Sequence, residues 1–178
     1  WAMKKTNQKR KLLTTFRTKK FIEEEYEADV EALLEKYHEL GHRDILITSN
    51  EVVKNDDNTV SITIKLSEGN KYYFGDITWV GNSKYPSELL DYNLRIDKGD
   101  VYNQMHLDER LLTADDAVHN LYMDKGYLFS SITPVEVRVE GDTIDLEMRI
   151  FEGQQATINN VIIKGNTKTH EHVVRREV

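Results

Sequence analysis

Two stretches of this chain are copies of one another, 84 or 85 residues apart, and that spacing constrains the fold more than any other feature. Tyr37 and Gly41 lie 85 residues before Tyr122 and Gly126, and Gly69 lies 84 before Gly153. The copy continues past both stretches. Ile77-Thr78-Trp79-Val80-Gly81-Asn82-Ser83-Lys84 is matched 84 residues later by Val161-Ile162-Ile163-Lys164-Gly165-Asn166-Thr167-Lys168. Such a period is too long for most solenoid repeats, which run about 20–50 residues, and suits a string of small domains. The chain therefore divides into 1–70, the back part of one unit, 71–153, a complete unit, and 154–178, the first strand and helix start of a further unit.

Periodicity assigns the elements inside the unit. Phe74 to Val80 alternates and is rich in aromatic and β-branched residues, which predicts a strand, and Gly81-Asn82 is a turn signal. Pro86 suits the start of a helix over Ser87-Glu88-Leu89-Leu90. Leu107, Leu111, Ala114, Val118 and Leu121 step by four and three, predicting one apolar helix stripe, as do Tyr26, Val30, Leu33, Tyr37 and Leu40 in the first unit. Gly41 and Gly126 are placed to end these helices. Two period-two strands close the unit, Ser130 to Val139 and Thr143 to Phe151, joined at Gly141-Asp142. In the last of them Ile144, Leu146, Met148 and Ile150 share one face, while Asp145, Glu147 and Arg149 share the other. One face is buried and one is wet. The expected class is α+β, with order β-α-α-β-β: a small three-stranded mixed sheet covered on one face by two helices. The first unit lacks a leading strand, because residues 1–20 read as helix and loop, so its sheet is expected to keep an open edge or to borrow a strand.

Composition narrows the function classes. Of the 178 residues 39% are hydrophobic and 31% charged, the balance of an ordinary globular chain. The longest apolar runs, such as Val161-Ile162-Ile163, fall far short of the roughly 20 residues that span a bilayer. Without cysteine there are no disulfides, thiolate metal sites or thiol nucleophiles. The net charge of −7 conceals a basic stretch, because residues 1–20 carry eight Lys and Arg and no acid. A basic arm can bind nucleic acid, but the rest of the chain is acidic enough to repel a phosphate backbone, and no aromatic platform accompanies the arm. No nucleic-acid partner is expected.

The closest approach to enzyme chemistry is His38-Glu39-Leu40-Gly41-His42, an H-E-x-x-H on a predicted helix. Histidines at i and i+4 can hold zinc with the glutamate as general base, which is the metalloprotease alternative. Gly41 is expected to end the helix within the motif, Thr48 stands where a third ligand would, and the repeat copy, Met123 to Tyr127, carries no ligand. His170 and His172 would need further ligands. The acidic runs Glu23-Glu24-Glu25 and Asp115-Asp116 are expected on solvated helix faces. No metal, cofactor or catalytic residue is assigned. Tyr72, Tyr73 and Phe74 follow the end of the first unit and, with Trp79, are placed to fill the seam between units.

The β-α-α-β-β order, the strand-Gly-Asn motifs at 77–82 and 161–166, the Val173-Val174-Arg175-Arg176-Glu177 segment, the Gly-Tyr pair at 126–127 and the Glu-Gly endings at 68–69 and 152–153 resemble the POTRA domains of BamA-like outer-membrane β-barrel assembly proteins. The resemblance covers essentially the whole chain. It departs at His42, where the family usually carries an aromatic residue. It implies a non-catalytic periplasmic scaffold that holds unfolded outer-membrane proteins and accessory lipoproteins, attached to a C-terminal membrane β-barrel. It also implies that the second strand of each unit is the edge that accepts client strands, here roughly Ile45 to Val53 and Ser130 to Val139. The apolar residues on these edges are Ile45, Ile47, Val52 and Val53, and Ile132, Val135, Val137 and Val139. Pro134 removes one backbone donor, so the second edge is expected to bind less well. The alternatives are the POTRA region of a two-partner secretion or translocation-and-assembly transporter, and a rigid spacer without client contact.

Overall fold

The computed structural model of the chain describes residues 3–6, 20–165, 170, 173 and 176. The first unit holds helix α1 (Glu23–Glu39) and strands β1 (Leu46–Lys54) and β2 (Val60–Ser67). The second holds β3 (Tyr73–Val80), α2 (Ser87–Leu94), α3 (Gln104–Asp108) running into a π turn (Glu109–Thr113), α4 (Val118–Met123), β4 (Ser131–Glu140) and β5 (Thr143–Phe151). The class is α+β, as the patterning requires.

In the second unit the strand order is β3-β5-β4, with β3 parallel and β4 antiparallel to the central β5. A parallel pair needs a long crossover, and the helices supply it. The alternation in β5 puts Ile144, Leu146, Met148 and Ile150 against Leu90, Leu94, Leu107, Leu111, Val118 and Tyr122, all buried. The outer face keeps Thr78 opposite Glu147 and Val80 opposite Arg149.

The single helix stripe expected from Leu107 to Leu121 is broken. The π turn ends at Ala114, whose ψ of 152° is extended, and α4 starts only at Val118. The four-and-three apolar spacing runs on in the sequence across the break and so conceals it, but only Leu107, Leu111 and Val118 of the stripe are buried, while Ala114 and Leu121 are partly exposed. The buried Arg110 side chain fastens the break. Its Nε donates to the Leu94 carbonyl at 3.2 Å, Nη2 donates to the Asn93 carbonyl, and Nη1 donates to Asp116 Oδ1 at 2.6 Å. Asp115-Asp116 therefore lies in the break rather than on a helix face, and Asp116 also pairs with Arg95. In the first unit α1 runs unbroken through the equivalent register. There the carboxylate of buried Asp29, the counterpart of Ala114, accepts the backbone N–H groups of Lys4, Lys5 and Thr6. Burial pushes this carboxyl up, but the backbone donors outweigh it and hold it below the usual range. Leu40, expected on the apolar stripe, caps α1 and is exposed.

β1 and β2 form a two-stranded antiparallel sheet among the described residues. Residues 161–165 carry no strand, although a strand was expected from Val161. A strand like β3 pairs with the closing strand of its own unit, as Trp79 does with Met148, and that partner comes some seventy residues later in the chain. Residues 7–19 of the basic stretch, Asn166 to Thr169, His172 and much of 173–177 lie outside the described residues.

Candidate functional site

Strand β1 pairs on one side only, with β2, among the described residues. A register shift between Ile47 and Ser49 marks Thr48 as a bulge, and its hydroxyl donates to the Lys65 carbonyl at 3.2 Å. The bulge resets the faces. Ile47 sits opposite Leu66 and Val52 opposite Ile62, on the side where Tyr26 of α1 donates to Asn50. Val53 sits opposite Ser61, on the outer side, and Ile45 is buried just before the strand. From Ser49 to Lys54 the pairing with β2 is regular.

Strand β4 is likewise an edge, paired only with β5 among the described residues. Ile132 faces Ile150 in the core and Val135 faces Glu147 on the outer side. Val137 falls in a shift between Glu136 and Arg138, and Val139 lies opposite Ile144. Its regular stretch, Ser131 to Glu136, contains Pro134.

Between the units lies a polar clamp. Tyr72 is buried, its N–H donates to the Gly41 carbonyl at 2.9 Å, and its hydroxyl donates to Asp44 Oδ2 at 2.7 Å. The Arg43 guanidinium stands 4.7 Å from the centre of the Tyr72 ring and pairs with Glu136 of β4 at 2.6 Å. Tyr102 donates to the same carboxylate at 3.3 Å. The hydrogen bond from Tyr72, and then Arg43, hold the Asp44 carboxyl below its ordinary range. Gly41 carries φ +97°, and a Cβ there would stand 2.8 Å from Val101 and 3.1 Å from the Tyr72 carbonyl, so only glycine fits the joint. Of the four residues expected at the seam, Tyr72 carries these contacts, and Tyr73 forms a backbone bridge to Val101. Phe74 is in the core of the second unit against Tyr102, and Trp79 donates to Asp91 within that unit. Arg43, Asp44 and Glu136 carried no sequence signal. A smaller repeat did: Tyr37 donates to Glu68 at 3.0 Å, and its counterpart Tyr122 donates to Glu152 at 3.4 Å.

The H-E-x-x-H motif is split by the helix end. α1 stops at Glu39, and His42 Nδ1 lies 3.2 Å from the Glu68 carbonyl with its ring edge-on to Tyr37. No group of three or more metal-ligating side chains occurs among the described residues. No described helix is long and apolar enough to cross a membrane.

These features define a class: a small α+β unit with a β3-β5-β4 mixed sheet, preceded through a clamped seam by a unit that shows a helix and an antiparallel strand pair among the described residues. The chain belongs to the POTRA family. The family model, described as a surface antigen variable number repeat, matches residues 3–69 and again 72–153. Among relatives, the chain is 27% identical over 165 residues to the outer membrane protein assembly factor BamA of Neisseria meningitidis, covering 91% of this chain and 20% of that protein. It is 28% identical over 160 residues to the BamA of Neorickettsia risticii, covering 89% of this chain and 21% of that protein. It thus spans about a fifth of the length of these relatives. The crystal structure of Haemophilus influenzae BamA POTRA3-5 superposes with a TM-score of 0.59 at 21% identity, covering 90% of this chain and 63% of that one, and supports the fold.

Proposed function

We propose that these units form a non-catalytic, periplasmic polypeptide-binding scaffold of the outer-membrane protein assembly machinery. They hold unfolded barrel proteins by strand addition and present docking surfaces to accessory lipoproteins, next to a membrane β-barrel elsewhere in the full-length protein. The observation that carries the reading is that strands β1 and β4, at equivalent places in the repeat, each pair on one side only among the described residues. An edge strand offers a row of backbone N–H and C=O groups, and a client that will itself become a barrel strand has the matching alternation. Each added backbone hydrogen bond contributes about 0.5–1.5 kcal/mol net, so five or six suffice for transient, sequence-tolerant holding.

The two edges differ. β1 offers the regular run Ser49–Lys54, whereas β4 is interrupted by Pro134 and by the shift at Val137. Client strands therefore favour β1. The test is a scan of single photo-crosslinkers along Leu46–Lys54 and Ser131–Glu140 in the full-length protein, offered an unfolded outer-membrane barrel substrate. Adducts at alternating positions, denser on β1, are expected. An intact fold without adducts on either strand would leave the units as spacers.

A further inference from the structure

The joint between the two units has a counterpart at the far end of the second. The Tyr72 N–H donates to the Gly41 carbonyl at 2.9 Å, and one repeat later the Ala156 N–H donates to the Gly126 carbonyl at 2.7 Å. A Cβ on Gly41 would meet the Lys71 side chain and the Tyr72 carbonyl; one on Gly126 would meet their counterparts, the Gln155 side chain and the Ala156 carbonyl. Gly69 packs against Asp44, and Gly153 packs against Phe129 at the same register. The backbone therefore leaves both units along the same path.

The side chains around that path are exchanged. Where the first joint has Arg43, Asp44 and Tyr72, the second has Leu128, Phe129 and Ala156. Leu128, Phe129 and Phe151 are 50%, 71% and 65% exposed. Phe129 and Phe151 line an open groove of about 630 Å³ with Gly81, Ile150 and Gly153. Ile158 and Ile162, on the segment leading away, are also exposed. Phe129 and Phe151, two large apolar side chains exposed on one groove, mark a site that something covers.

We propose that this end of the second unit is the docking face of the repeat unit opened by residues 154 onward, and that the seam is apolar where the first is ionic and hydrogen-bonded. The occupant follows from the repeated clasp. The chain that leaves at Ala156 carries the Val161-Ile162-Ile163 copy of β3, and at the first joint the unit so opened lies against the loop after the preceding glycine. The inference does not depend on client binding.

The test places a photo-crosslinker at Phe129, and separately at Leu128, in the purified full-length protein, with Tyr92 (74% exposed) as control. Circular dichroism confirms folding, and both probe sites are exposed in the unit itself, so at least one variant is expected to fold. Adducts within the same chain, mapping beyond Asn160 and unchanged in yield over a roughly tenfold range of protein concentration, are expected. Adducts no more frequent than at Tyr92, adducts only to a second copy, or adducts only when a client is added would each overturn the proposal. Hydrogen exchange tests the contrast between seams. About 1 M NaCl should raise exchange at the Tyr72 amide several-fold and leave Ala156 within about twofold, since screening acts on charge pairs and not on apolar contacts. Equal salt responses at both amides would refute the ionic-versus-apolar distinction.

Discussion

Replacing Arg110 by methionine should separate two roles that its guanidinium combines. The methionine keeps most of the buried stem, so the packing loss is small and the polar loss is isolated. Two of the lost hydrogen bonds go to the carbonyls of Asn93 and Leu94, at the end of α2, where an α-helix leaves its last carbonyls without partners. Hydrogen bonds from a charged donor contribute about 1.5–3 kcal/mol each, against which removal of a guanidinium that is only 8% exposed recovers part of its desolvation cost. The expected net loss is about 2–4 kcal/mol, a large share of the roughly 5–15 kcal/mol that holds a domain together. The third bond goes to Asp116, which is more exposed and keeps Arg95 as a partner. Asp116→Asn should therefore cost a small fraction of what Arg110→Met costs. Urea unfolding at constant m-value measures both, and the double mutant gives their coupling. If Asp116→Asn costs as much as Arg110→Met, the ion pair rather than the capped carbonyls holds the broken helix, and the reasoning fails.

Two further outcomes can be checked directly. Gly41→Ala forces a side chain into φ +97° against Val101 and the Tyr72 carbonyl, and should destabilise the joint by about 1–3 kcal/mol, whereas Gly99→Ala has the same backbone strain but open space and should cost less; thermal unfolding of both variants compares them. Burial pushes the Glu152 carboxyl up, but bonds from Ser83 and the Lys84 amide bring it net below its ordinary range. A depressed carboxylate contributes stability that is present above its unfolded pKa and is lost as pH falls through the folded value, so the wild type should lose more stability than Glu152→Gln between about pH 5 and 3; parallel denaturation curves with equal slopes would count against this.

What was legible in the sequence was whatever obeys a simple period. The alternation of Ile144, Leu146, Met148 and Ile150 gave the buried face of β5, and Gly141-Asp142 gave its hairpin. What was hidden broke the period without breaking the pattern. The four-three steps from Leu107 to Leu121 run on in the sequence although the helix passes into a π turn and stops in their midst. The bulges at Thr48 and Val137 turn side chains to the opposite face, so Ile47 and Val52, five residues apart, share a face, and Val135 and Val139, four apart, do not, the reverse of what counting twos predicts. The seam was half legible: Tyr72 stands out as an aromatic after a Glu-Gly ending, but Glu136 is 93 residues from Arg43, and no local rule joins two residues so distant.

The internal repeat goes further than either unit alone, because it separates what the fold requires from what each position adds. Features present in both copies are the glycine that ends the last helix, the carbonyl clasp to the outgoing chain, and the tyrosine that donates to the closing glutamate. The first two fix backbone path, and the third ties the last helix to the end of the closing strand. Features present once are the Arg43–Asp44–Tyr72–Glu136 clamp, the Leu128–Phe129 surface and the Arg110 brace. All three are side-chain contacts at or behind a joint or edge. Since backbone hydrogen bonds are insensitive to side-chain identity, the direction of the array is inherited with the fold. Since charged pairs weaken with salt and apolar contacts do not, the salt response expected at each joint depends on the few residues packed around its clasp. Under the proposed strand addition, a client strand on β4 would lie beside the joint that Glu136 helps to close through its pair with Arg43. On β1 no residue of the second unit forms an ion pair or side-chain hydrogen bond with the run Ser49–Lys54 among the described residues, so under the same proposal the first edge would be the freer of the two, independently of Pro134.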